Sequence, residues 1–435
     1  MYRWFYTTGV FSFALTVLCC SGCKQDQMDP VAEEVPNIPK PISVAFLGGG
    51  DVAEEVARQW KAIQGGEITC TVIEPNKIDE SYDAIANQDI IIYPPSLLGK
   101  LVSDEVITPI PPEVWDSKLL DNRGLLRDHR MTFIRFGGER WATPISSPNL
   151  FLMSRNDAIR MIGNRSIRDW DDLIEVTNQI RLIEAKDDSP PPKVVVPMAR
   201  PFCADIFFAI SAANVRHRGK LNFIFDRNDM TPLLASPPYV NALNQLKKLA
   251  RSSNQDTPET AYRKLLAGKA SLVITWPSKA FVSEDLPETS EELTNQLMLT
   301  RLPGHRNWYD FSSREFRENP EDNRLARVEH IGFVGLQASI LKSAAYPTTA
   351  FEFLSWISSK KVCSNIFSNS IDGGPSRQSH LGDPQNWTGE FLNIQNSNAY
   401  ADSLTEINES PVFFMFPRIL GQREYKRVLA DAIIR

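Results

Sequence analysis

With 435 residues and a formal net charge of -6, the chain is long enough for two ordinary domains or one large composite one. Its composition, 42% apolar and 23% charged, is that of a globular protein and excludes disorder except locally. The acidic balance supplies no Lys/Arg field to neutralise phosphates, so nucleic acid is set aside as a partner.

The N-terminus has one charged side chain, Arg3, ahead of an uncharged stretch from Trp4 to Cys20 and then small residues, which are the three parts of a secretory signal. Ser21, Gly22 and Cys23 resemble a bacterial lipobox, with Cys20 where Leu is usual. That resemblance implies a lipoprotein signal peptide over 1–23 and lipidation of Cys23 as the first mature residue. An uncleaved anchor is the rival reading, although the apolar run is short of the roughly 20 residues that span a bilayer. Redox or zinc chemistry at Cys20 and Cys23 would need a folded microenvironment that a signal segment does not provide. Residues 24–41, KQDQMDPVAEEVPNIPKP, are charged and Pro-rich and predict a flexible tether. Beyond them lie Cys70, Cys203 and Cys363, which allow one disulfide at most.

The folded part opens at Ile42. ISVAFL (42–47) reads as a strand, GGG (48–50) as a turn, and DVAEEVARQWKAIQGG (51–66) as a helix with Val52, Val56, Trp60 and Ile63 on one face. Asp51 and Glu54 have capping-box spacing, and Gly65 and Gly66 suit the helix end. EITCTVIE (67–74) and DIIIYPPS (89–96) predict two more short buried strands, so the alternation predicts an α/β domain with a largely parallel sheet. SIRDWDDLIEVTNQI (166–180) reads as a capped helix, and PPYVNALNQLKKLARSS (237–253) as a helix with Val240, Leu243, Leu246 and Leu249 aligned. TAYRKLLAGKASLVITWPS (260–278) predicts a helix stopped by Gly268 and then a strand. HIGFVGLQASIL (330–341) reads as a strand, PTTAFEFLSWISSKK (347–361) as a helix begun by Pro347, and QREYKRVLADAIIR (422–435) as a closing helix. DDSPPPK (187–193) and 303–328 read as loops.

In this order several pieces resemble landmarks of the bacterial extracellular solute-binding proteins of family 1, which include the sugar-binding proteins of ABC importers. The segments are GERWATPISSPNLFLMSRNDA (138–158), SIRDWDDLIEVTNQI, AYRKLLAGKASLVITWPS (261–278), IGFVGLQASILKSAAYPTTAFEFLSWISSKKV (331–362) and IDGGPSRQS (371–379). Met153, Ser154 and Arg155 depart from the usual Tyr and Asn, while Asp157 is kept. The resemblance implies a two-lobe periplasmic-binding-protein fold, each lobe a mostly parallel sheet flanked by helices. Three crossings join the lobes, near Thr143–Ser147, Val273–Trp276 and His330–Gly335. Lobe 1 would comprise 42–144 and 275–330, and lobe 2 145–274 and 331–435. It further implies a monomeric, lipid-anchored protein on the extracytoplasmic, periplasmic side of a bacterial membrane. Such a protein takes a mono- or oligosaccharide in the inter-lobe cleft by hinge closure and hands it to a membrane permease.

Sugar recognition needs flat apolar faces for pyranose rings and polar groups for their hydroxyls. Trp276, just after the second crossing, is the stacking candidate. Tyr93 and Ser96 follow the DIIIY strand; Ser146, Ser147 and Asn149 follow the first crossing; Asp372, Gly373 and Arg377 lie in the IDGGPSRQS turn. Gly49, within the turn after the first strand, offers a backbone N–H at the cleft edge. Trp141, Phe207, Phe208, Trp308 and Tyr309 are read as core or loop-packing aromatics. Gly48, Gly50 and Ala53 match GxGxxA, with Glu74 near the end of the next strand, so an exported NAD(P)-dependent oxidoreductase is a competing reading. Asp169, Asp171 and Asp172 could serve glycoside hydrolysis but are more simply helix-start acids. Histidines 129, 217, 305, 330 and 380 lack metal-ligand spacing, and neither a cofactor nor a metal is expected. A two-lobe surface lipoprotein with no small-molecule ligand is the third reading.

Overall fold

The structure, a computed structural model, describes residues 40–74, 82–184, 194–215, 223–226, 228–252, 255–282, 295–318, 327, 334–389, 391–410 and 418–435. Cys23, the signal segment, the tether up to residue 39 and the loop 187–193 lie outside the described residues. From Pro39 to Arg435 the chain is one compact unit.

The strands run in chain order β1 (Ile42–Phe46), β2 (Ile68–Val72), β3 (Ile90–Tyr93), β4 (Arg135–Phe136), β5 (Glu139–Arg140), β6 (Thr143–Ser146), β7 (Phe151–Arg155), β8 (Val194–Val195), β9 (Leu272–Thr275), β10 (Leu297–Arg301), β11 (Asn307–Asp310), β12 (Glu315–Glu318) and β13 (Leu336–Ile340). Among them a five-stranded sheet has the order β2-β1-β3-β13-β6 and a four-stranded sheet the order β10-β7-β9-β8. β3 is buried throughout and β1 is buried except at Ser43 because both faces are covered, whereas β2 lies at the sheet edge and is only half-buried. The first sheet is mixed rather than mostly parallel. β1 runs parallel to β2 and β3, but β13 enters antiparallel between β3 and β6, pairing Gln337 with Tyr93. In the second sheet only β8 and β9 are parallel among the described strands.

This pairing departs from the expected lobe boundaries. β10, within 275–330, pairs with β7 in the second sheet, while β13 and the helix Pro347–Ile357 packed on it belong with the first. Two hydrophobic ridges explain the second placement: Trp60 of the helix Ala53–Gln64 packs edge-on against Phe353 and Trp356, with ring centroids 5.2 and 5.1 Å away. The crossings move accordingly. The chain passes from β6 to β7, returns between β10 and β13, and passes again when helix Ile394–Glu409 packs on β10. Val273–Trp276 is therefore the end of a second-sheet strand and not a crossing. Residues 330–333 of the expected third crossing lie outside the described residues.

Within elements, most expected helices form where the pattern places them: Trp170–Glu184, Pro237–Leu249, Pro258–Leu266, Pro347–Ile357 and Gln422–Ile434. Faces differ in two of them. Ile63 is exposed, and in Pro237–Leu249 the buried side is Tyr239, Ala242, Gln245, Leu246 and Leu249 while Val240 and Leu243 face outward. The Asp51/Glu54 capping box does not form; Asp51 is engaged elsewhere. The stretch 303–328 is in part a hairpin, β11 against β12, burying Trp308 and Tyr309. Cys70, Cys203 and Cys363 are free thiols, each pushed up to about 11 first of all by burial.

Candidate ligand cleft

The carboxyl ends of β1 and β3 open on one edge of the first sheet, the usual place for a ligand in such a sheet. β6 also ends there at Ser146, and β13 begins there because it arrives from the second sheet. A narrow crevice lies at this edge, lined by Pro95, His129, Phe133, Pro144, Ser146, Ser147, Leu336 and Gln337. His129–Phe133 is a π-helical turn, a conformation frequent at functional sites. Its end is held by Arg418, whose guanidinium donates to the carbonyls of Phe133 (2.7 Å), Thr132 (3.3 Å) and Arg135. Burial pulls Arg418 down to about 10 and His129 down to about 3, so His129 presents a neutral imidazole at neutral pH.

Beside the crevice, the turn 370–377 ties the two sheets together. On the first-sheet side, the Asp51 carboxylate accepts from the Ile371 N–H (2.9 Å) and from the Ser370 hydroxyl (3.4 Å). Ser146 Oγ donates to the Asp372 carbonyl (2.8 Å), Ser147 N to Gly374 O (3.1 Å), and Ser376 Oγ to Ile145 O (3.0 Å). At the end of β9, Trp276 Nε1 donates to Ile371 O (3.1 Å) and Ser278 Oγ to Ser370 O (3.0 Å). A Cβ on Gly374 would stand 2.4 Å from the Ser147 carbonyl oxygen and 2.6 Å from Pro148 N, so only glycine permits this approach.

The structure thus brings Ser146, Ser147, Trp276, Asp372, Gly373 and Arg377 to one turn, with Tyr93, Ser96 and Gly49 along the same sheet edge. Their roles differ. Ser146 and Ser147 line the crevice, and Asn149 is buried just beyond them at the start of the passage to β7. Tyr93 is fully buried; it donates to Ser339 Oγ (2.7 Å), which itself donates to the Trp141 carbonyl (2.6 Å), and burial raises the phenol well above its ordinary range. Trp276 is 3% exposed and packs its ring on Phe281, 5.7 Å away, so in this conformation it is a core side chain with no free stacking face. Gly373 is buried and donates to Ser370 O (3.1 Å). Half-buried Ser96 sits in the 3-10 turn Pro95–Leu97.

Arg377 needs correction as a ligand-binding residue. It is 2% exposed, and its guanidinium donates to the carbonyls of Ser358 (2.5 Å), Leu120 (2.6 Å) and Asp121 (3.0 Å), with the Asp121 carboxylate at 3.3 Å. It anchors the turn. Asp372 keeps part of its surface exposed, yet burial, with Asp51 close by, pushes its carboxyl up to about 7. Gly49 has φ +68° and its Cβ position would meet Leu336 at 2.6 Å, while that of Gly50 would meet Val72 at 2.6 Å. Side chains of this chain therefore occupy the close approaches that a dinucleotide fingerprint keeps for pyrophosphate.

Sequence reasoning missed Gln337, His129 and Arg418, and it placed Asp51 in the turn at the cleft edge without its bonds to 370–371. Gln337 looked like a strand residue, and its 1% exposure at the crevice wall becomes visible only when β13 is seen to start at this edge. Its amide lies beside the Tyr93 hydroxyl, its register partner on β3, and interacts with it, which lowers the Tyr93 pKa against the larger effect of burial.

The acids at the other helix start are caps. Asp169 Oδ1 accepts from Asp172 N (2.8 Å), Asp172 Oδ2 from Arg168 N (3.0 Å), and Arg306 pairs with Asp169 (2.6 Å). They line a separate recess of about 250 Å³ with Asp171, Glu175, His305 and Asn307.

No protein-family model and no curated protein sequence matches the chain. Solved structures do. A maltose-bound MalE3 of T. maritima superposes with a TM-score of 0.66 at 15% identity, over 91% of this chain and 93% of its own. An ABC transporter solute-binding protein of Agrobacterium radiobacter K84 in complex with ribitol gives 0.67 at 16% identity, over 90% and 92%. Another from Agrobacterium vitis S4, with bound D-mannitol, gives 0.62 at 13%, over 91% and 92%. At such identities the likeness establishes the fold, a two-lobe periplasmic-binding-protein fold of α/β class.

Proposed function

We propose that this chain is the extracytoplasmic solute-binding subunit of an ABC importer, capturing a carbohydrate or polyol between its lobes and releasing it unchanged. The observation that carries this reading is the crevice at the carboxyl edge of the first sheet, walled by hydroxyl, amide and imidazole groups beside a turn bonded to both sheets. Maltose, ribitol and D-mannitol in structures of the same fold support a polyhydroxylated ligand class. Binding acts through lobe closure: a solute that shifts the lobes from almost all open to almost all closed must favour the closed form by about 5.5 kcal/mol. Calorimetry and thermal unfolding of the purified protein against sugars, polyols, amino acids, polyamines and NAD(P) test it. One polyhydroxylated solute should stabilise the fold, by about 2.7 kcal/mol at a hundredfold its Kd. A flat response to every compound sinks it and favours a lipoprotein that binds no small molecule.

A nicotinamide cofactor is disfavoured by Asp51, whose carboxylate stands just ahead of the helix Ala53–Gln64, where a pyrophosphate would need the positive helix end. We further assign Cys23 as the lipid attachment site. Metabolic labelling with a fatty-acid analogue should mark the wild type and not Cys23→Ala, whereas Cys20→Ala should stay labelled.

A further inference from the structure

We propose that residues 418–422 are a strap between the two lobes that limits how far the cleft opens, with Arg418 as its anchor on the first-sheet side. This rests on the lobe-closure reading above. At that end the Arg418 guanidinium donates to the carbonyls of Phe133 (2.7 Å), Thr132 (3.3 Å) and Arg135, and it lies 5.9 Å from the centroid of the Phe136 ring. Phe136 packs on the apolar cluster that holds Ala45 of β1 and Tyr93 of β3, so the anchor belongs to the first sheet. The backbone is fixed there too: a Cβ on Gly99 would stand 1.9 Å from the Arg418 carbonyl oxygen, so only glycine admits the chain. At the other end, helix Gln422–Ile434 packs on helix Phe202–Val215, which follows β8 of the second sheet and lies against β11, the strand after β10. Lys426 pairs with Asp205 (2.6 Å) and Asp431 with Arg200 (2.7 Å), and the Tyr425 ring lies 5.8 Å from that of Phe225. Between the anchors stand only Ile419, Leu420 and Gly421, drawn into a turn in which Gln422 N donates to Ile419 O (3.2 Å). Even pulled straight, four residue steps span at most about 14 Å. The lobes can therefore part on this side only by the slack of one turn. A solute then meets lobes already held near one another, and less ordering remains to be done on closure.

Lengthening the strap tests its reach without touching its anchors. Leu420 is 64% exposed, and a Cβ on Gly421 would meet nothing within 4 Å, so an insertion between them disturbs neither end. With about six Gly/Ser residues inserted, the free segment grows about threefold, and loop-closure entropy predicts solute binding about fivefold weaker by calorimetry. The unliganded variant should also have a larger radius of gyration in X-ray scattering than the wild type. Arg418→Met, which removes the first-sheet anchor, should expand the unliganded protein as well. Combined with the insertion it should expand it no further than the larger single change, because a strap can be released only once. An unchanged radius of gyration in the insertion variant overturns the proposal. Additive expansion overturns it too, since Arg418→Met would then be loosening the first lobe itself. With maltose, ribitol and D-mannitol as probes, undiminished affinity of the insertion variant for one that the wild type binds is a third overturning result. If the wild type binds none of these and nothing in the wider panel, the proposed function fails, and scattering of the unliganded variants still decides whether the strap restrains the lobes.

Discussion

At Asp372 and Arg377 burial has opposite consequences. Burial, with Asp51 close by, pushes the Asp372 carboxyl up to about 7, against about 3.9 in an unfolded chain. Between those values the folded form holds a proton that the unfolded form has lost, so this group makes stability fall as pH rises from about 4 to about 7 and adds no slope above. Asp372→Asn should flatten that window and, at pH 8, stabilise the protein by about 1 kcal/mol or more; urea melts at pH 5 and pH 8 read both effects. Arg377 instead satisfies three backbone carbonyls, of which those of Ser358 and Leu120 are buried away from water. Arg377→Met should cost about 3 kcal/mol in urea melts, and Arg377→Lys should recover only part, since a point charge cannot replace a planar fork.

At the scale of the element, the turn 370–377 decides how closely the first passage between sheets approaches it. Gly374→Ala puts a methyl group against the backbone of Ser147 and Pro148, neither of which is a flexible side-chain end. Destabilisation of about 1–3 kcal/mol is expected from such overpacking, together with, on the proposed function, weaker solute binding as Ser146 and Ser147 are displaced. Chemical denaturation and calorimetry on the same preparation check the pair of effects. Elements themselves were largely legible in sequence. The helix starts at Pro237, Pro258 and Pro347, and the left-handed glycines 65 and 268 that end two helices, lie where local chemistry puts them. The faces were less so: Val240 and Leu243 follow helical spacing yet point outward, because the fully buried helix Phe202–Val215 receives the Tyr239, Ala242 and Leu246 side.

For the whole molecule, one continuous apolar cluster runs from Val44 and Phe46 through Ile145 and Leu150 to Phe151 and Val273, so the two sheets are welded near the passages. The closure proposed above would therefore be read at the rim. Hydrogen exchange with and without a bound solute should slow at Ser147 and Ile371, whose N–H groups bond across to the partner segment, and change little within β1 and β2. Equal protection changes throughout would point to general stabilisation without lobe movement.

Composition, signal-like start, element order and the cluster of candidate residues around 146–147, 276 and 372–377 were determined by the sequence, because capping, periodicity and glycine or proline placement act within a few residues. Sheet membership, the direction of β13 and the use of each buried polar group were decided only by tertiary structure. A strand looks the same locally whichever sheet receives it, and how Arg377 is satisfied depends on carbonyls that the chain brings together from hundreds of residues away.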